Sequence, residues 1–348
     1  METDAATATS GRAPVRLAAL AIVGVVLLMA GARSIERAVN APLVLPGDGM
    51  VLDVAPGSTV RGIATQLHGD GVLAHPVLLE WYARITGKAT QIKLGEYAVA
   101  PGTSGPELLD QLIGGEVILH RFTIIEGWRT ADLLSALAGH EAVATTGVIE
   151  SDLMDALGSP ELHPEGQFLP DTYAFPRGTT DLQMLRRAHE ALRTALAAAW
   201  AQRSPEAAAT SPDQALVLAS IIEKETALPS ERRLISGVFN RRLARGIRLQ
   251  ADPTVIYGLG DAYDGNLRAV DLQTDTPYNT YTRRGLPPTP IALPGPAAIA
   301  AAVDPQPGEE IYFVATGDGD GSHYFSATLE EHNAAVQRYL RKLRSNSE

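Results

Sequence analysis

Hydrophobic and polar positions follow three different patterns along this chain. Leu17 to Ala32 carries no charge and is bracketed by Arg16 and Arg33. As a helix this run spans about 24 Å, slightly under the ~30 Å hydrocarbon core of a bilayer, and Val15 and Ser34 can extend it. Further on, short strand-like runs end in a Gly turn and pass into helical spacing. Val54-Ala55-Pro56-Gly57-Ser58 leads to Leu67, Val99-Ala100-Pro101-Gly102-Thr103 to Leu112, and Ile124-Ile125-Glu126-Gly127-Trp128 to Leu137. Ser58 and Thr103 stand where helix N-caps are expected, and His75 to Thr86 predicts another helix, ended near Gly87. The third pattern is Ala215 to Ile222, apolar on nearly every helical face and therefore buried all round.

That buried helix has a readable start and stop. Ser211-Pro212-Asp213-Gln214 offers a cap, Pro at the first helical position and Gln at the third, and Pro229 forbids continuation. Ser230 is the expected cap of a following helix with Ile235, Phe239 and Leu243 on one face and Arg241, Arg242 and Arg245 before Gly246. Loops rich in Pro and Gly come next, then strands Ile311 to Ala315 and His323 to Ser326 around a turn at Gly317 to Gly321, and a last helix over Leu329 to Leu343.

These elements predict an α+β protein behind an apolar segment: a leader at 1–16, the segment at 17–34, a linker at 35–47, a small α+β domain at 48–118, a larger one at 119–344 and a tail at 345–348. The small βα units have a fold-level analogy to LysM-type wall-binding modules. A transmembrane anchor is the expectation for 17–34. The competing reading is a cleavable signal peptide, because Ala30-Gly31-Ala32 has a small-x-small cleavage pattern. A buried core helix is the remaining alternative. Basic residues on both sides leave orientation open, but under either the anchor or the signal-peptide reading the C-terminal part is exported.

Composition narrows the chemistry. The chain of 348 residues is 45% hydrophobic with a net charge of −11, which argues against a binder of nucleic-acid backbones. It contains no Cys, so thiol nucleophiles, disulfides and Cys-ligated metals are excluded. No His has a His partner at helical metal-ligand spacing, and Asp318-Gly319-Asp320-Gly321-Ser322 lacks the acidic residue a calcium loop needs where Leu329 stands. No metal or cofactor is expected. Nucleophile elbows, phosphate loops and dinucleotide fingerprints are also missing.

What remains is carboxylate chemistry at the end of the buried helix. Successive helical residues turn by 100°, so Glu223 and Glu225 point about 200° apart and cannot share one site. A carboxyl group in apolar surroundings holds its proton to higher pH and can serve as a general acid. Helix geometry does not choose between the two, and both could instead be solvated at a fraying helix end. A second constellation runs through Leu249 to Gly258, Tyr278 to Tyr281 and Gly285 to Ile291, read as loops. Its amides, hydroxyls and Tyr faces are what a sugar groove uses, although ordinary turn chemistry reads the same way.

Taken together, Leu218 to Thr226, Leu249 to Gly258, Tyr278 to Tyr281, Gly285 to Pro288 and His323-Tyr324-Phe325 resemble the YceG-like endolytic murein transglycosylases of bacteria. Gly166 to Tyr173 and Ile125-Glu126-Gly127 look like further blocks of that family, all in chain order. The Ala-rich stretch 195–210 and the leader depart from it. The resemblance implies a single-pass inner-membrane protein with an extracytoplasmic catalytic domain and a LysM-like subdomain. The implied reaction cuts the β-1,4 bond between N-acetylmuramic acid and N-acetylglucosamine in nascent peptidoglycan glycan strands, leaves a 1,6-anhydro end and ends strand elongation. Its implied catalyst is Glu223. Implied substrate-binding residues are Gln167, Asp171, Ser220, Glu225, Gln250, Asp252, Thr254, Tyr257, Tyr278, Asn279, Tyr281 and His323. Cell-wall synthases and inner-membrane lipid are the implied partners besides the glycan, with no nucleic acid.

Overall fold

The computed structural model describes the backbone of residues 13–345 and the side chains of residue 20 and residues 22–344. Residues 1–12 of the expected leader and 346–348 of the expected tail lie outside that range. Contacts divide the chain into two compact units, with the division between Leu119 and His120.

In the first unit, helix α1 (Ala13–Val39) covers the whole apolar run, and Leu20, Ile22, Val23 and Leu28 are exposed along it. Among the described residues no helix is long and apolar enough to cross a membrane. Strand β1 (Met50–Val54) pairs antiparallel with β2 (Gly95–Val99), Met50 opposite Val99, and helices α2 (Val60–Gly69) and α3 (Pro76–Ile85) lie between them in sequence. Helix α4 (Gly105–Gly114) follows. Leu52, Val54, Ile63, Leu67, Tyr97, Val99, Leu108 and Leu112 form one core, the alternate residues of the strands meeting one face each of α2 and α4.

The caps of α2 and α4 are Thr59 and Ser104, one residue beyond Ser58 and Thr103. The cause is the preceding turn: Ser58 N–H bonds Ala55 O and Thr103 N–H bonds Ala100 O, closing turns around Gly57 and Gly102, which both have positive φ. Each turn uses the residue that the pattern assigned to the cap.

Strand β3 (Leu119–Thr123), all but its first residue in the second unit, pairs with β5 (Thr172–Pro176). Helix α5 (Thr130–Ala138), strand β4 (Val143–Ala144) and helix α6 (Glu150–Leu157) lie between these strands in sequence. Strand β6 (Thr179–Thr180) pairs parallel with β4 and feeds α7 (Asp181–Ala201). Helices α8 (Pro212–Glu225) and α9 (Arg232–Ala244) come next. They are followed by α10 (Asp252–Leu259), α11 (Ala269–Gln273) and α12 (Pro296–Val303). The hairpin β7 (Tyr312–Ala315) and β8 (His323–Ser326) and helix α13 (Leu329–Ser345) close the unit.

Helix α8 starts as its sequence predicts, with the Ser211 hydroxyl accepting the Gln214 N–H at 3.2 Å. Helix α9 starts at Arg232 behind Glu231 instead of behind Ser230, because the Glu231 N–H is still spent on a turn to Leu228 O. The stretch after Ala251, read from sequence as a loop, is helical: Pro253 is a first-turn proline and not a breaker.

Two cores fill this unit. One gathers Phe122, Ile124, Leu133, Leu153, Phe168, Phe175, Met184 and Leu185. The other gathers α8 with Leu192, Leu196, Ile235, Phe239, Ile299 and Val303. Helix α7 serves both, giving Met184, Leu185 and Ala188 to the first and Leu192 and Leu196 to the second. The segment 290–295 runs along the seam, with Ile291 in one core and Leu293 in the other.

Candidate active site

Segment 290–295 forms a strap along that seam, hydrogen-bonded by residues near the end of α8 and in the loop before α5. The Ser220 hydroxyl, fully buried, accepts the Ile291 N–H at 3.0 Å and donates to Val217 O at 2.7 Å. Gly127 N–H donates to Leu293 O at 2.9 Å, and Leu293 N–H to Trp128 O at 2.7 Å. One turn beyond Ser220, Glu223 Oε2 accepts the Gly295 N–H at 2.9 Å. Gly166, at φ +79°, lies so close to the strap that a methyl group there would meet Pro290 Cβ at 2.3 Å.

Glu223 is therefore not at a frayed, solvated end. Its side chain is 5% exposed, and Arg232 Nη2 stands 3.4 Å from Oε1. Burial pushes its carboxyl up from the ordinary range, opposed by the Gly295 N–H; the Glu126 charge adds to the rise and Arg232 opposes it. A shielded carboxyl with one strong backbone bond and a raised pKa is suited to general acid–base chemistry.

Glu225 points away, as the 200° rotation requires, toward α9 and α10. Burial pushes its carboxyl up to about 8, the nearby Asp252 adding to the rise and Arg242 opposing it. Asp252 accepts the Tyr281 hydroxyl at 2.5 Å. Arg242 holds the backbone oxygens of Leu249 at 2.8 Å and Ile311 at 2.6 Å, and reaches Gln250 Oε1 at 3.4 Å. Gln250 has φ +53°, a left-handed conformation unusual for a residue with a Cβ.

A third buried carboxyl, Glu165, is absent from the sequence reading although it immediately precedes the Gly166 block. It accepts the Thr130 N–H at 3.0 Å and the Tyr257 hydroxyl, and burial pushes it up. Arg129 lies 5.2 Å over the Tyr257 ring, and the rings of Tyr257 and Tyr278 meet edge to face at 4.8 Å. The Tyr278 hydroxyl is bonded to that of Thr289 at 2.9 Å.

The remaining residues singled out by sequence divide by exposure. Thr254 and Asn279 are buried and bonded within the protein. Thr254 joins Ala251 O and the Thr280 hydroxyl, and the Asn279 amide donates to the backbone oxygens of Asp271, Leu272 and Thr274. They shape the loop that carries Tyr278 and Tyr281. His323 is held by Glu231, which accepts both its N–H and its ring Nδ1 at 2.8 and 2.7 Å. Asp171 is exposed. Gln167 is 5% exposed, and its Oε1 is buried without a partner. The Gly285 to Pro288 block lines a cleft of about 600 Å³ beside Gln214 and Val217, near the opposite end of α8 from Glu223. No group of three or more acidic or His residues that could hold a metal ion occurs among the described residues.

Comparison with known proteins gives a consistent family. The endolytic murein transglycosylase of Bacillus subtilis (strain 168) is 28% identical over 313 residues, covering 83% of this chain and 84% of that protein. The endolytic murein transglycosylase of Streptococcus pneumoniae serotype 2 (strain D39) is 26% identical over 327 residues, but this chain spans only 58% of its length. The crystal structure of a YceG-like protein of Listeria monocytogenes superposes with a TM-score of 0.52 at 28% identity, covering 83% of this chain and 99% of that one. The YceG-like family matches residues 52–338, and the chain belongs to that family.

Proposed function

We propose that this chain is an endolytic lytic transglycosylase that cleaves the β-1,4 bond between N-acetylmuramic acid and N-acetylglucosamine in nascent peptidoglycan strands, with Glu223 as its catalytic residue. The observation that carries the reading is the seat of Glu223: shielded at the end of a buried helix, bonded by the Gly295 N–H, and raised in pKa. The names of the Bacillus and Streptococcus relatives support the substrate class.

In this mechanism the protonated Glu223 gives its proton to the leaving glycosidic oxygen. The resulting carboxylate takes a proton from the muramic 6-hydroxyl, whose oxygen attacks the anomeric carbon and closes the 1,6-anhydro ring. One bond breaks, one forms, no water is consumed, and one carboxyl serves both half-steps. A hydrolysing muramidase would need a second carboxylate to activate water. Asp252, the candidate for that role, keeps company with Glu225 on the other side of α8.

The Tyr257 and Tyr278 rings, Asp171 and the unpartnered Gln167 Oε1 are proposed to line the glycan groove beside Glu223, and the Gln250, Asp252 and Tyr281 cluster a part of it farther from that carboxyl. Residues 48–118 are proposed as a LysM-like wall-binding subdomain and 119–344 as the catalytic domain. Residues 17–34 are proposed as a retained single-pass anchor holding both on the outer face of the bacterial inner membrane, near the wall synthases. Mass analysis of muropeptides released by the full chain tests the reaction: an anhydro end is lighter than a hydrolysed end by one water, and hydrolysed ends alone would refute it. Resistance to carbonate extraction, with an N-terminus still ahead of Leu17, tests the anchor.

A further inference from the structure

Glu126 lies in the loop between β3 and α5, and its carboxyl crosses the bare Cα of Gly295. A methyl group on Gly295 would meet Glu126 Oε1 at 1.9 Å and its Cδ at 2.4 Å. In this position Glu126 Oε2 is 3.5 Å from Arg232 Nη2, and Glu223 Oε1 is 3.4 Å from the same nitrogen. One guanidinium nitrogen is thus divided between two carboxylates at long range, while Arg232 Nε is buried and unpartnered. The Glu126 side chain is 43% exposed where that of Glu223 is 5% exposed, so the two carboxyls occupy the wet and dry sides of one arginine.

We propose that Glu126 is a positioning residue for Glu223, drawing Arg232 away from a close, bidentate grip on the catalytic carboxyl so that Oε1 stays available to the glycosidic oxygen. This rests on the reading of Glu223 as proton donor. A bidentate arginine pair is among the strongest ways to hold a carboxylate ionised. With Glu126 in place, its like charge adds to burial in raising the Glu223 carboxyl, while the shared Arg232 and the Gly295 N–H oppose them. Among the described residues no other charged side chain competes. Lys224 turns its ammonium to Gly127 O at 3.2 Å, Arg233 pairs with Asp304 at 2.9 Å, Glu231 is committed to His323, and Glu225 faces Asp252 and Arg242.

The test is the pH profile of kcat/KM on purified glycan strands, measured with the full chain. Glu126→Gln removes the charge and keeps the shape at an exposed position. Its alkaline limb is expected to move down by about one pH unit, a loss of about tenfold above the limb. Glu126→Asp should recover part of the shift, and Arg232→Gln should move the limb the opposite way. A uniform loss of rate in Glu126→Gln with the limb unmoved, or a limb displaced upward, overturns the proposal. Failure of the underlying reading is seen separately, as activity surviving in Glu223→Gln.

Discussion

Ser220 and Glu223 stand one turn apart on α8 and hold the same strap, Ser220 accepting the Ile291 N–H and Glu223 the Gly295 N–H. The proposed proton-transfer group is therefore also a fastening. Its conformation is set by backbone that is itself anchored in both cores, through Ile291 and Leu293. Such support holds the carboxyl in position.

Glu223→Gln should abolish cleavage while preserving the fold, because the amide oxygen can still accept the Gly295 N–H but the group cannot donate and recover a proton. Loss of general acid–base action costs roughly 10² to 10⁴ in rate. In the unaltered protein, activity should fall as pH climbs past the raised Glu223 value, since the acid form is required for the first step. A flat rate profile across that range, or a Gln variant with more than about a tenth of the activity, would contradict the assignment.

Ser220→Ala should leave the Ile291 N–H buried and unbonded, a cost of about 1 to 3 kcal/mol in stability. Ile291 is 3% exposed, so no solvent replaces the hydroxyl. Urea denaturation measures the loss. An unchanged midpoint would mean that the strap finds another acceptor.

Gly166→Ala tests the other side of the strap. The residue has φ +79°, and its new methyl would collide with Pro290 Cβ and Cγ, at 2.3 and 2.6 Å. Both backbone strain and displacement of the strap are expected, with activity falling further than stability alone accounts for. Comparison of kcat/KM with the denaturation midpoint separates the two effects.

How much of this was legible in the sequence depends on the range of the interactions. Helix α8 was readable because its signals are local: a cap, a first-turn proline and apolar residues on all faces. The divergence of Glu223 and Glu225 follows from helical rotation, but which partners each would meet does not. Arg232 comes from the next helix and Gly295 from a strap 72 residues beyond Glu223, contacts that no periodicity encodes. Glu165 carried a faint signal, a carboxyl directly before Gly166, but its burial depends on Thr130 and Tyr257 folding over it. Pro253 and Gly258 predict a loop where α10 stands, because both favour turns, whereas Pro253 fits the first turn and the helix carries on through Gly258 to Leu259.

Glu225 gives a separate pH prediction, for stability. Its folded value of about 8 lies above the ordinary 4.5, so the folded state binds the proton more tightly than the unfolded state. The resulting stability is complete below 4.5 and is lost progressively as pH rises through about 8. Glu225→Gln should flatten this dependence. Denaturation midpoints at a series of pH values check it, and an equally steep decline in the variant would assign the effect to another group.

Helix α7 carries a consequence for how the molecule comes apart. Because its first half packs in one core and its second half in the other, it acts as a common spar of about 31 Å between them. Backbone amides at Leu185 and Leu196 should exchange with solvent in a single cooperative opening, with matching protection at the two ends. On that outcome the seam that holds Glu223 would open only together with the two cores that α7 joins.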